Sequence, residues 1–167
     1  MLAGSPLGAR VSCTWTVRPL PGEVEIKRVY VDMVADLFHY GHVNLLRQAR
    51  SYGDYLLVGI HSDETVMSYK ARPILTMEER IASVRGCRYV DEVLADAPLR
   101  IEGDWIDRHH IDLVVHGDDF SDEMELFCYR VPMEMGMFRT VPYTPGISTT
   151  EILDRIRSRP ESVQEWD

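Results

Sequence analysis

The chain has 167 residues, 45% of them hydrophobic and 27% charged, enough apolar material for one globular domain with its own core. A formal net charge of -9 argues against a nucleic-acid partner, whose phosphate backbone needs a basic surface, but allows a small anion held by a few local donors. Three cysteines, Cys13, Cys87 and Cys128, are scattered and odd in number, so neither a disulfide framework nor a CxxC redox pair is indicated.

Residues 1–28 are punctuated by Gly and Pro without periodicity, which predicts an N-terminal extension outside the folded domain. They carry no signal-peptide pattern, and no segment approaches membrane-spanning length, so a cytoplasmic protein with no membrane partner is expected. From Val29 the chain alternates β-branched and aromatic residues, the pattern of a strand. It then passes through Asp36-Leu37-Phe38 to the quartet His39-Tyr40-Gly41-His42. Val43, Leu45, Leu46 and Ala49 recur at helical spacing, and Gly53 is placed to stop that helix.

The apolar run Tyr55 to Ile60 reads as a buried strand. His61 to Glu64 lead out of it towards Lys70 and Arg72. Thr76 to Glu79 form a capping-box signature for a helix reaching about Cys87. Tyr89 to Leu94 predict a third strand, about Arg100 to His110 a helix, and Ile111 to His116 a fourth strand ending in Gly117-Asp118-Asp119-Phe120. A Met- and Glu-rich helix follows from about Asp122 to Met135, with Pro132 expected to kink or shorten it. Met137 to Val141 predict a fifth strand. Ile147 to Glu151 read as a second capping box, opening a final helix to about Ser158, and residues 159–167 as a polar tail.

Strands alternating with helices predict an α/β domain with a five-stranded parallel sheet and helices on both faces. Ligands bind such sheets beyond the carboxyl ends of the strands, where the strand order switches. The two histidines fall where a strand turns into a helix. There free N–H groups attract an anion, and Gly41 removes a Cβ that would hold a phosphate off the backbone. Two imidazoles at that place can donate to a phosphoryl group as its charge grows. A zinc site is the bland alternative for a bare HxxH, but no other Cys or His cluster supports it.

HYGH at 39–42 with Asp36 before it, CRYVDEV at 87–93, HGDDF at 116–120 and GISTT at 146–150, in this order, resemble the cytidylyltransferase family of the nucleotidyltransferase α/β-phosphodiesterase superfamily. The similarity runs from about Val29 to Ile156. HYGHVNLLRQARSYGDYLLVGIHSDE is similar to ethanolamine-phosphate cytidylyltransferases and also to single-domain enzymes that activate phosphonates. The resemblance implies one Rossmann-like cytidylyltransferase domain over residues 29–158. It also implies transfer of CMP from CTP to a small phosphonate or phosphate acid, release of pyrophosphate, and Mg²⁺ held mainly by the CTP phosphates. It assigns His39, His42 and Lys70 to catalysis, with Lys70 bridging nucleotide and acceptor. The nucleotide would meet Val34, Ala35, Asp36, Gly41, Gly117, Asp119, Tyr143, Thr144, Ile147, Ser148 and Thr149. Tyr40, Asp63 and Arg72 are candidates for the acceptor, with Asp63 alternatively orienting Lys70 or capping a helix. The CRYVDEV segment implies a homodimer with Arg88 near its twofold axis.

The chain departs from the family at Met33 and Ala35, where relatives often have glycine and an aromatic residue, and at Tyr143, where they usually have arginine. A phenol does not replace a permanent bidentate cation, so Arg72 or Arg139 would have to meet that phosphate charge. The departure at Tyr143 and the single-domain length favour a phosphonoformate-like or hydroxyalkylphosphonate acceptor. Phosphoethanolamine and glycerol 3-phosphate are the alternatives within the same chemistry. An adenylyltransferase, a regulator that binds nucleotide without catalysis, and a fragment of a class I aminoacyl-tRNA synthetase are the competing readings.

Overall fold

The computed structural model describes residues 25–159, so most of the expected extension, the tail beyond Arg159 and Cys13 lie outside the described residues. The first half of the chain forms β1 (Arg28–Met33), α1 (Tyr40–Arg50), β2 (Tyr55–Ile60), α2 (Asp63–Met67), α3 (Met77–Arg85) and β3 (Glu92–Ala95). The second half forms α4 (Gly103–His109), β4 (Leu113–Gly117), α5 (Asp122–Glu134), β5 (Phe138–Val141) and α6 (Thr149–Arg157). All five strands are parallel, in the order β3-β2-β1-β4-β5, so the order reverses between β1 and β4 as expected for this class.

Alternation along β1 divides the core. Val29, Val31 and Met33 point to one face with Leu46, Ala49 and Val84 from α1 and α3. Tyr30 points to the other, where Ile106, Cys128 and Tyr129 from α4 and α5 cover the sheet. The register then opens the site. β1 pairs with β2 from Arg28 to Met33, but with β4 only at Val29 and Tyr30. Beyond Tyr30 the two central strands part, and Asp32 lies in the crevice between them.

Several boundaries differ from expectation for local reasons. The α1 helix begins at Tyr40, not Val43, because His39 is its N-cap, and it ends at Ser51. Gly53 is instead a close approach: a Cβ there would lie 2.6 Å from the Lys27 carbonyl oxygen. For the short α2, which the sequence offered only as a helix capped by Asp63, the cap is Ser62, accepting from the Thr65 N–H at 3.1 Å. Strand β3 starts at Glu92 because Cys87–Val90 form a turn, with the Val90 N–H donating to the Cys87 carbonyl. The capping box at Thr76 and Glu79 is complete, whereas at α6 only the Ser148 half is made.

Pro132 acts as expected on α5, and the consequence reaches the site. A proline cannot donate to the carbonyl four residues back, so the Cys128 carbonyl accepts from the Ile101 N–H at 2.9 Å instead. The helix kinks at Tyr129, whose φ of -123° and ψ of 18° are not helical. That kink accompanies the aim of the Tyr129 hydroxyl at Asp32.

Candidate active site

The turn after β1 is held from two directions. The Asp36 carboxylate accepts from the Ile74 N–H at 3.0 Å and the Leu75 N–H at 2.9 Å, tying the Lys70–Leu75 loop to the histidine turn. The Thr149 hydroxyl donates to the Asp36 carbonyl at 3.0 Å, bringing the start of α6 to the same point. Ala35 and Leu37 adopt φ of 59° and 46°, a left-handed conformation disfavoured for residues with a Cβ. These ties hold it in place.

Both histidines bond the backbone through Nδ1. His39 Nδ1 accepts from the Gly41 N–H at 3.1 Å, and His42 Nδ1 accepts from the His39 N–H at 3.2 Å. An accepting Nδ1 leaves the hydrogen of the neutral ring on Nε2. Burial lowers the pKa of His39 against the opposing charge of Glu151. Burial, then His39 and Lys70, push His42 down to about 3. The rings lie 4.0 Å apart, with Phe38 stacked on His42. Two neutral Nε2–H donors therefore stand side by side, suited to oxygen atoms that gain charge during a reaction. Gly41 has a packing reason beyond the expected one: a Cβ would lie 2.9 Å from the His39 ring and 3.3 Å from Ile147.

A cavity of about 540 Å³ opens beside them. It gathers His39, His42, Lys70, Val34, Asp36, Gly41, Gly117, Asp119, Tyr143, Thr144, Ser148, Thr149 and Arg72 among the residues expected from sequence. Gly117 lets the Asp119 carboxylate fold over it, since a Cβ would meet Oδ1 at 2.7 Å. The Ser148 hydroxyl accepts from the Glu151 N–H at 3.1 Å, which leaves its own hydrogen and the first N–H groups of α6 to meet an anion.

Other expected residues lie elsewhere. Ala35 is fully buried in the core, and Ile147 packs on Gly41. Tyr40 is 66% exposed on α1, outside the cavity lining. Asp63 is bound by the buried Arg80 at 2.6 Å, with Arg72 3.9 Å away; it neither caps α2 nor lines the cavity. Arg139 donates to the carbonyl of its neighbour Phe138, so of the two arginines considered only Arg72 reaches the cavity. Tyr143 donates its N–H to Asp118 at 2.7 Å and its hydroxyl to the Ile147 carbonyl at 3.3 Å, bracing the loop that carries Ser148. Arg88 is exposed, over the ring of Tyr89 at 5.6 Å.

The floor of the cavity was not foreseen. Asp32, His61, Tyr69, Leu99, Phe120 and Tyr129 line it together with His116. Asp32 is 2% exposed. Its Oδ1 accepts from the Tyr129 hydroxyl at 2.7 Å, while Oδ2 has no hydrogen-bond partner. Burial, then Asp32, push Tyr69 up to about 12 and hold Tyr129 well above its ordinary value, so both phenols keep their hydrogens. The signal was present in the sequence: an acid inside the otherwise apolar strand VYVDM is a buried charge awaiting a partner.

The chain is similar to known proteins in sequence and in fold. The family model described as cytidylyltransferase-like matches residues 33–155. The chain is 46% identical over 135 residues to an ethanolamine-phosphate cytidylyltransferase of Dictyostelium discoideum, a match covering 78% of this chain and 38% of that protein. It is 39% identical over 150 residues to choline-phosphate cytidylyltransferase A of Rattus norvegicus, covering 88% and 41%. The chain thus spans well under half the length of these relatives. Among solved structures, a lipopolysaccharide core biosynthesis protein from Thermoplasma volcanium superposes with a TM-score of 0.56 at 26% identity, covering 72% of this chain and 98% of that one.

Proposed function

The chain belongs to the cytidylyltransferase-like family, and from that premise we propose that it transfers CMP from CTP to a small phosphorylated amino alcohol of the phosphoethanolamine type. The observation that carries the reading is the pair of neutral Nε2–H donors at the start of α1, facing one cavity with Lys70 and the start of α6. An oxygen of the acceptor phosphate attacks the α-phosphorus of CTP. The bond from that phosphorus to the bridging oxygen breaks, and pyrophosphate leaves. His39 and His42 donate to the phosphoryl oxygens as charge moves onto them, and the free α6 N–H groups with the Ser148 hydroxyl hold the phosphates. Lys70 supplies a mobile positive charge between the two substrates.

Mg²⁺ suits the site as an ion carried on the nucleotide. No group of three or more His, Cys, Asp or Glu side chains is assembled among the described residues, and Mg²⁺ ordinarily keeps several waters and binds substrate phosphates. When bound it would neutralise charge on the leaving pyrophosphate.

Two observations support an amino-alcohol phosphate over the phosphonate acid expected from Tyr143. The relatives reported above are named for ethanolamine phosphate and choline phosphate. The floor of the cavity presents a buried carboxylate with one oxygen free, which attracts a cation and repels the carboxylate of a phosphonoformate-like acid. The reading is tested by pyrophosphate release from CTP against ATP, with phosphoethanolamine, glycerol 3-phosphate and phosphonoformate as acceptors. CTP with phosphoethanolamine should have the highest kcat/KM; faster turnover with ATP, or with either ammonium-free acid, would overturn it. A homodimer through residues 87–93 is part of the same proposal. Light scattering should give twice the chain mass.

A further inference from the structure

At the floor of the cavity two acceptors face each other with no donor between them. One is the unpaired Asp32 Oδ2; the other is His61 Nε2, 3.6 Å away. His61 is 4% exposed and is fixed at its other nitrogen, where Nδ1 lies 3.0 Å from the Ala97 carbonyl oxygen. A carbonyl only accepts, so Nδ1 carries the hydrogen and Nε2 of the neutral ring presents a lone pair. A charged ring would turn Nε2–H on Asp32, and such a buried, charge-assisted bond closes to about 2.7–2.9 Å. The observed separation is too wide for that bond.

Two neighbouring donor groups have their contacts elsewhere, while the Tyr30 hydroxyl and Arg80 Nε have no partner and so reach neither Asp32 Oδ2 nor His61 Nε2. The Tyr129 hydroxyl serves Oδ1. The Arg80 guanidinium serves the Val34 and His61 carbonyls and Asp63. Two lone pairs this close, one on an anion, are satisfied by a single cation carrying more than one N–H. Resting on the function proposed above, we infer that His61 is a specificity-determining residue. Its Nε2 accepts a hydrogen bond from the ammonium of the acceptor while Asp32 balances the charge, so the site selects a primary ammonium over a quaternary one. A trimethylammonium group has the charge but no N–H for His61, and would leave Nε2 buried and unpaired.

The test uses the full chain with saturating CTP and four acceptors: phosphoethanolamine and its N-methyl, N,N-dimethyl and N,N,N-trimethyl derivatives. Wild-type kcat/KM should fall along this series, mostly through KM. The His61→Gln variant, whose amide oxygen can reach the same place, should keep that order. His61→Phe retains the bulk but offers no lone pair. It should lose on the order of tenfold or more with phosphoethanolamine and change little with the trimethyl compound, flattening the series. A folded His61→Phe protein that keeps the wild-type ratio of primary to quaternary acceptor overturns the inference while leaving the activity intact. If that variant does not melt cooperatively, the wild-type series decides: equal kcat/KM for the primary and trimethyl compounds overturns it. Wild-type protein that releases no pyrophosphate with any of the four sinks the underlying function, and this inference with it.

Discussion

With His42 pushed down to about 3 by burial, His39 and Lys70, its ring stays an uncharged donor across the pH range in which the protein would work. The same shift governs stability. The folded value lies below the ordinary 6.5, so between those two values the unfolded chain takes up a proton that the folded chain refuses. Stability is fully present above about pH 6.5 and falls as pH drops through that window, by at most about 1.4 kcal/mol per pH unit from this group. Denaturant midpoints at pH 7 and pH 5 should therefore differ less in His42→Gln than in wild type. Catalysis responds separately: His39→Ala and His42→Ala should each lower kcat on the order of a hundredfold or more, as when an oxyanion donor is removed. Near-normal kcat in a folded His42→Ala protein would remove that assignment. These two residues were legible because capping a helix is local chemistry, contained in four consecutive residues. Asp32 and Tyr129 were not; they are 97 positions apart and meet only once the sheet and the kinked α5 are both in place.

Among the helices, α4 has the weakest ends. Its N-cap, Glu102, makes no side-chain capping bond, and its C-cap, His110, sits at φ 50° and ψ 52°, a conformation in which a Cβ costs roughly 1–2 kcal/mol. Glycine favours that position. His110→Gly should stabilise the fold by about 1 kcal/mol and raise Tm by roughly 2–4 °C, with kcat unchanged because α4 lies away from the cavity. A lower Tm would show that the imidazole itself contributes there. Helices and strands with strong periodicity were legible in the sequence, and so was the parallel sheet. The short α2 showed only as a capping alternative for Asp63, since five residues give periodicity too little length to register. Pro132 was legible as a break in α5, but where it would aim Tyr129 depended on Ile101 taking the Cys128 carbonyl.

Across the whole molecule, the site is divided between two groups of strands. His39, His42 and Lys70 follow β1 and β2, whereas Asp119 and Ser148 follow β4 and β5. The line between the groups is paired only at Val29 and Tyr30. On the β1–β2 side the Arg80 guanidinium rivets the strand ends together at the Val34 and His61 carbonyls. The β4–β5 side reaches across by slighter ties, such as Asn44 to Thr144 at 2.7 Å and Thr149 to Asp36 at 3.0 Å. A sheet stitched at one end and open at the other can breathe, and amide hydrogens record breathing as exchange with solvent. In the free protein, amides of β4 and β5 should exchange faster than those of β1 and β2. Saturating CTP with Mg²⁺, lying across both groups, should slow the faster set most. Equal protection on the two sides before and after nucleotide would mean that the sheet moves as one slab. The expected imbalance would make the substrate itself the missing stitch of the fold.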